Sequence, residues 1–358
     1  GIHTLMHDPN VWKAWLFAQL LIVAFVLYVS WRIIPKRSNR IGDGVGGPEA
    51  AGNGQFGTSR WMTLDEMNDT TMVWKFGKDV PSGGMVLGMN EKKRTAWVLD
   101  DDEHSLVIGA TGSGKTRRLV FPTIWMLGHT GESMVLTDPK GELYERSKTF
   151  LERKGYQIRV IDFRQPGYGN RWNPMHQVNE AIKNNDIAEA SKHAWSIANM
   201  FVYQKPAAEH HGENIWKDGP ESVIAALILA VATNAPNPEQ KHMASVYKTL
   251  AELGETRKVS IGDTVIDYIP LNEFFKSLDL HHPARDAFAT ARLAPERTRG
   301  SFYAGVASLL RLFSDPSIAY LTSRQDHDLA DVGRTKTATF LIIPDEDKTR
   351  HPLAALYV

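Results

Sequence analysis

The sequence predicts an α/β protein with an inserted all-α domain and an N-terminal transmembrane helix, and three observations carry the prediction. Apolar runs of strand length, SLVIG at 105–109, SMVLTD at 133–138 and QIRVID at 157–162, are separated by helix-length segments, the pattern of a parallel sheet covered on its faces. From about Gln177 to Arg292 the apolar spacing turns helical, as in NNDIAEASKHAWSIANMF and ESVIAALILAVATN, and strand character returns only at TATFLIIP. Near the N-terminus a near-continuous apolar run over 14–34 is long enough to cross a bilayer.

In chain order, residues 1–40 read as a membrane anchor. Trp12, Trp15, Tyr28 and Trp31 sit near the ends of the apolar run, where aromatic rings suit the two interfaces. Arg32, Lys36, Arg37 and Arg40 follow the run and Lys13 stands on its other side, which predicts that the bulk of the chain lies on the cytoplasmic side. A cleaved signal peptide would have a shorter apolar region with its charge in front. Residues 41–59, rich in glycine and polar side chains, read as a linker. Residues 60–176 hold the first part of the α/β body, opening with GGMVLGMN and TAWVLD as small strands leading into the main sheet. Residues 177–292 are the all-α insertion, and 293–358 return to the body. Across 358 residues the formal net charge is zero, so overall balance gives no support for a general polyanion binder. The absence of cysteine excludes disulfides and thiolate metal sites.

GATGSGKT at 109–116 matches G-x-x-x-x-G-K-[ST], preceded by an apolar run and followed by a helical segment, the context a P-loop requires. Small residues let the backbone N–H groups of Gly112, Ser113, Gly114 and Lys115 turn inward around phosphates, with Gly109 and Thr111 completing the loop. The following helix N-terminus adds its partial positive charge. Lys115 is expected to reach the β- and γ-phosphates of ATP and Thr116 to ligate Mg²⁺. The body formed by 60–176 and 293–358 is then a nucleotide-binding domain of P-loop NTPase type. Pro122 predicts a disturbance early in the helix.

On the next strand SMVLTDPKGE places Asp138 at the C-terminal edge, the side that faces the ligand crevice in open α/β sheets. There it orients water or Mg²⁺ as a catalytic and metal-binding group, or it forms an Asx-type turn leaving the strand with Lys140 and Glu142 solvated. Both readings stand.

Weaker signals have ordinary explanations beside the functional ones. His210, His211 and Glu213 in EHHGE belong to a polar loop unless a remote ligand completes a metal site, and His281-His282 is weaker still. Trp195, Phe201, Trp216 and Tyr247 fit a helical core better than a base-stacking platform. Arg292, Arg297, Arg299 and Arg311 are solvated charges, or line a DNA path or supply a trans arginine finger.

Five landmarks occur in one order: QFGTSRW at 55–61, GATGSGKT at 109–116, DPKGE at 138–142, RWNP at 171–174, and RTRGS with TATFLIIPDED. Together they resemble the TraG/TraD-type coupling proteins of conjugative type IV secretion systems, membrane-anchored ATPases related to RecA/FtsK-like DNA translocases. The resemblance implies a homo-hexameric motor that docks at the secretion channel proteins and uses ATP to move single-stranded DNA bearing a relaxase. It also implies that the helical insertion selects substrate and that DPKGE lies near the nucleotide, which favours the catalytic reading of Asp138. A nucleotide-binding docking receptor without efficient hydrolysis and an FtsK-like chromosome translocase are the alternatives.

In that family the Walker B acidic pair follows a further helix and strand beyond the segment like FLIIPDED, and Pro344 interrupts the run before Asp345. Asp345 and Glu346 are therefore expected to mark the exit of a core strand. The family usually has two membrane spans as well, so the resemblance implies that this chain is part of a longer one.

Overall fold

The computed structural model describes residues 9–33, 60–203, 215–261, 264–346 and 348–358. The linker at 41–59, EHHGE at 209–213, the basic residues Lys36, Arg37 and Arg40, and the first five residues of QFGTSRW lie outside them. The chain divides into two units, Gly1–Met67 and Asn68–Val358.

In the first unit the apolar run forms the helix Pro9–Ile33, whose stretch Asn10–Val29 is long and apolar enough to cross a membrane and has no buried residue. Further on, Arg60 pairs with Glu66, which also accepts the Thr63 N–H at 2.9 Å.

The second unit opens with strands β1 (Met72–Lys75), β2 (Met85–Asn90) and β3 (Thr95–Leu99), an antiparallel sheet in the order β1-β3-β2. The two segments expected to become small strands are β2 and β3, and they form a sheet of their own. The main sheet is parallel, with β4 (Met134–Thr137) and β5 (Gln157–Asp162) on either side of β8 (Thr337–Ile342). Every residue of β8 is buried, so TATFLI reads as a continuous apolar and threonine run with no polar face. The helix Phe121–Thr130 lies between the sheets: Ile124 packs with Met134, Ala338 and Phe340, while Met126 packs with Val86, Ala96 and Val98.

One predicted strand is corrected. Residues 105–109 have no regular structure, with Leu106 86% and Ile108 88% exposed. An apolar run becomes a strand only where a neighbour takes up its backbone N–H and C=O groups, and among the described residues no strand pairs with this one.

The helical region also departs from its expected outline. It holds an antiparallel hairpin, β6 (Arg257–Ile261) and β7 (Thr264–Tyr268), so it is not all-α. RKVSI and TVIDY flank a Gly-Asp pair, a hairpin signature that the surrounding helical periodicity outweighed in the sequence reading. Nor does its packing stop at 292. The helix Ile215–Asn234, buried on nearly all sides from Gly219 onward, shares one core with Phe302, Tyr303 and Val306 of the helix Glu296–Leu309, with Phe313, and with Ile161 and Leu341 of the parallel sheet.

Candidate functional site

The glycine-rich loop turns where its sequence demands. Gly112 and Gly114 adopt φ of +80° and +83°, left-handed values that side chains with a Cβ rarely take. Ser113 N–H closes the turn onto the Ala110 carbonyl at 3.2 Å. The Lys115 ammonium donates to the Gly109 carbonyl and, at 3.3 Å, to that of Ala110, so it is folded over the loop that it would share with an anion. At Gly109 a Cβ would lie 2.7 Å from the Ser113 hydroxyl oxygen, so the Ser113 side chain closes over the glycine backbone. Backbone close enough to wrap a phosphate, with an ammonium aimed across it, fits the phosphate groups of a nucleotide.

Behind the loop the chain makes one π-helical turn, Thr116–Val120, in which Phe121 N–H reaches the Thr116 carbonyl, before the α-helix Phe121–Thr130 begins. Pro122, expected to disturb this helix, lies in its first turn. A proline there has no donor to offer and its ring crowds the carbonyl four residues back, and the wider π turn absorbs both effects.

The helix packs on β4 and runs against it, because Leu127, near its end, and Met134, which starts the strand, share one core cluster. Asp138, just past the other end of β4, therefore lies on the loop's side of the sheet. Its N–H donates to the Leu341 carbonyl at 2.8 Å, extending the ladder by one residue. Its carboxylate, however, is turned inward: Asp138 is 1% exposed and accepts the N–H of Tyr144 at 2.9 Å, at the start of the helix Glu142–Arg153. Burial pushes its pKa up, against the pull of the Tyr144, Leu143 and Gly141 N–H groups. The Asp138 carboxylate thus closes the turn that opens the helix Glu142–Arg153, the arrangement of the Asx-type reading, and a catalytic or Mg²⁺-binding part for it belongs to the proposal below.

Other charged groups gather at this edge of the sheet, and of these sequence patterning singled out Asp345 and Glu346 but not Asp162, Arg164, Asp315 or Arg350. Asp162 Oδ1 accepts the N–H groups of Arg164 and Gln165 at 2.8 Å each, and the Arg164 guanidinium meets Glu346 at 3.2 Å. Arg350 donates to the Phe163 carbonyl and to Asp315 at 3.3 Å. Asp345 follows the end of β8 by three residues and is exposed, as expected for a strand exit.

RWNP is an anchor between distant segments. Asp326 takes Arg171 through Nε and the terminal nitrogen at 3.1 Å each and through the backbone N–H at 2.9 Å. Trp172 is buried and donates its N–H to Leu321 O at 2.8 Å, while Asn173 reaches the Lys241 carbonyl at 2.9 Å. Burial alone would raise the Asp326 pKa, but the hydrogen bonds and charge of Arg171 prevail and hold it below the ordinary carboxylate range. A lowered folded-state pKa means stability that is present above the unfolded-state value of about 4 and lost as pH falls through the folded-state value. Asp326→Asn should therefore flatten the acid limb of the unfolding free energy below about pH 4, measured by urea denaturation at stepped pH. A limb as steep as that of the parent chain would show that the pair contributes nothing.

Of the remaining candidates, Phe201 is core, edge-on to Phe313, and Trp195 and Tyr247 are half-buried. Trp216 is exposed but rests edge-on against Phe302. Arg292, Arg297 and Arg311 are exposed and Arg299 is half-buried. His282 caps the short helix Pro283–Ala287 by accepting the Ala284 N–H at 3.2 Å. Among the described residues no cluster of three or more histidines and carboxylates could hold a metal ion.

A mixed α/β body with a parallel sheet and a glycine-rich loop opening a helix defines the broad class. Residues 51–358 match the model of the family described as type IV secretory system conjugative DNA transfer, and the chain belongs to that family of coupling proteins. It is similar to the protein VirD4 of Rhizobium radiobacter, 23% identical over 302 residues that cover 81% of this chain and 39% of that protein. It is likewise similar to the conjugal transfer protein TraG of Escherichia coli, 25% identical over 322 residues, 84% of this chain and 48% of that one. The chain thus spans less than half the length of these curated relatives.

Proposed function

We propose that this chain is the nucleotide-binding portion of a membrane-anchored ATPase that brings single-stranded DNA, with its attached relaxase, to a type IV secretion channel and drives its transfer. The observation that carries the reading is the loop at 109–116, with two glycines at positive φ and the Lys115 ammonium folded across it, in a member of the conjugative DNA transfer family. The body built on the parallel sheet is, in this reading, of P-loop NTPase type. Gly109, Thr111, Gly112, Ser113, Gly114 and Lys115 would hold the phosphates of ATP, and Thr116 would offer its hydroxyl to Mg²⁺. ATP would supply the phosphoanhydride bond whose cleavage drives translocation. Anchoring through the helix Pro9–Ile33 in a bacterial inner membrane, hexamer formation and contact with the channel proteins belong to the same proposal.

One observation favours a second reading. With the Asp138 carboxylate committed to a helix N-terminus, these residues offer it no part in activating water, which suits a nucleotide-binding docking receptor without efficient hydrolysis. Lys115→Ala in the full chain should weaken MgATP binding at least about tenfold by calorimetry, because a charge-assisted contact to a polyanion is removed. Unchanged affinity would end the nucleotide reading. Phosphate release stimulated by single-stranded DNA separates the motor from the docking receptor.

A further inference from the structure

A cavity of about 310 Å³ lies between the antiparallel sheet and the helical segment that follows the loop. Trp74, Phe121 and Trp125 line it, Val86, Ala96 and Met126 form its buried floor, and Arg117 is the one charged side chain on its wall. Trp74 and Trp125 stand with ring centroids 5.6 Å apart and planes inclined at 49°, and Trp125 is 39% exposed, so the cavity is open beside an aromatic face.

We propose that this cavity is the nucleobase subsite of the nucleotide whose phosphates the loop holds, an inference that rests on the nucleotide reading above. Three features support it. The first is placement: Arg117 is the second residue after Lys115 and Phe121 the sixth, so the wall of the cavity begins within two helical turns of the loop, which suits a nucleotide laid along the helical segment with its phosphates at the loop. Size is the second, since the cavity has roughly ten times the ~30 Å³ that a water molecule occupies in the liquid, ample for a planar ring system. The third is chemistry. Aromatic walls suit the π-face of any base, and the Arg117 guanidinium donates to ring nitrogens, to a carbonyl or to the sugar–phosphate junction.

The lining also dictates selectivity. Apart from Arg117 and the indole N–H groups of Trp74 and Trp125 the wall is apolar, these groups only donate, and the Trp74 N–H is taken by the Lys78 carbonyl, so no acceptor here selects the exocyclic amine of adenine. ATP and GTP should therefore bind with comparable affinity.

The test titrates the full chain in detergent with MgATP and with magnesium tripolyphosphate, which has the phosphates and no base. Trp125→Ala should weaken ATP about fivefold or more and leave tripolyphosphate unchanged, because base stacking is lost and phosphate contacts are kept. Lys115→Ala should weaken both. If Trp125→Ala leaves ATP affinity intact, or lowers both ligands alike, while Lys115→Ala still acts, the subsite is overturned and the phosphate site stands. If Lys115→Ala changes neither ligand, both fall. Photolabelling of the unaltered chain with 8-azido-ATP needs no variant to fold: label on the peptides carrying Met89 or Trp125 supports the subsite, and label confined to other peptides overturns it.

Discussion

Phe302→Ala is expected to cost the second unit about 3–5 kcal/mol of stability, the range for deleting a buried aromatic side chain. Phe302 is 1% exposed on the helix Glu296–Leu309, and its ring lies so close over Gly219 that a Cβ there would come within 2.4 Å of it. Trp216 meets the same ring edge-on at 5.9 Å. The neighbouring helix Ile215–Asn234 approaches closely only because Gly219 has no side chain, so its backbone cannot settle into the space a lost ring would leave. Urea unfolding followed by circular dichroism measures the loss. A cost under about 1 kcal/mol would mean that the two helices relax together and that Phe302 is not central to the core. The same packing sets the border of the helical region. A fragment ended at 292 leaves out Phe302, Tyr303 and Phe313, and exposes the apolar surface that they cover.

What was legible in the sequence follows from how locally each feature is determined. The turns at Gly112 and Gly114, strands β4, β5 and β8, and the long apolar N-terminal helix are each specified by residues within one short window, and they stand where patterning puts them. Residues 105–109 were misread because a strand needs a partner, and no window of sequence states whether one is beside it. The hairpin of β6 and β7 is hidden because its two runs of five residues each lie inside a region where helical spacing dominates. Arg171 and Asp326 are 155 residues apart, so the clamp that RWNP forms exists only in three dimensions. The ion pair between Arg164 and Glu346 was hidden for the same reason. Pro122 announces a disturbance, but the π turn that accommodates it is a backbone response that no side chain announces.

Asp138 is the residue whose chemistry and architecture point in different directions, and two substitutions separate them. Asp138→Ala should destabilise the second unit by about 3 kcal/mol, because the N–H groups at the start of the helix Glu142–Arg153 lose a buried acceptor and water cannot replace it. Asp138→Asn keeps one acceptor oxygen of nearly the same shape for the Tyr144 N–H, and replaces the other oxygen and the charge by a neutral amide nitrogen. If the carboxylate serves the turn, the Asn variant retains stability close to that of the parent and binds MgATP as the parent does. Were the carboxylate a metal ligand instead, the Asn variant would stay folded and lose the Mg²⁺ dependence of ATP binding. Urea unfolding of both variants, paired with ATP titrations at stepped Mg²⁺, reads the two effects separately. A stable Asn variant with Mg²⁺-independent binding would return Asp138 to the nucleotide site and leave the helix N-terminus needing another explanation.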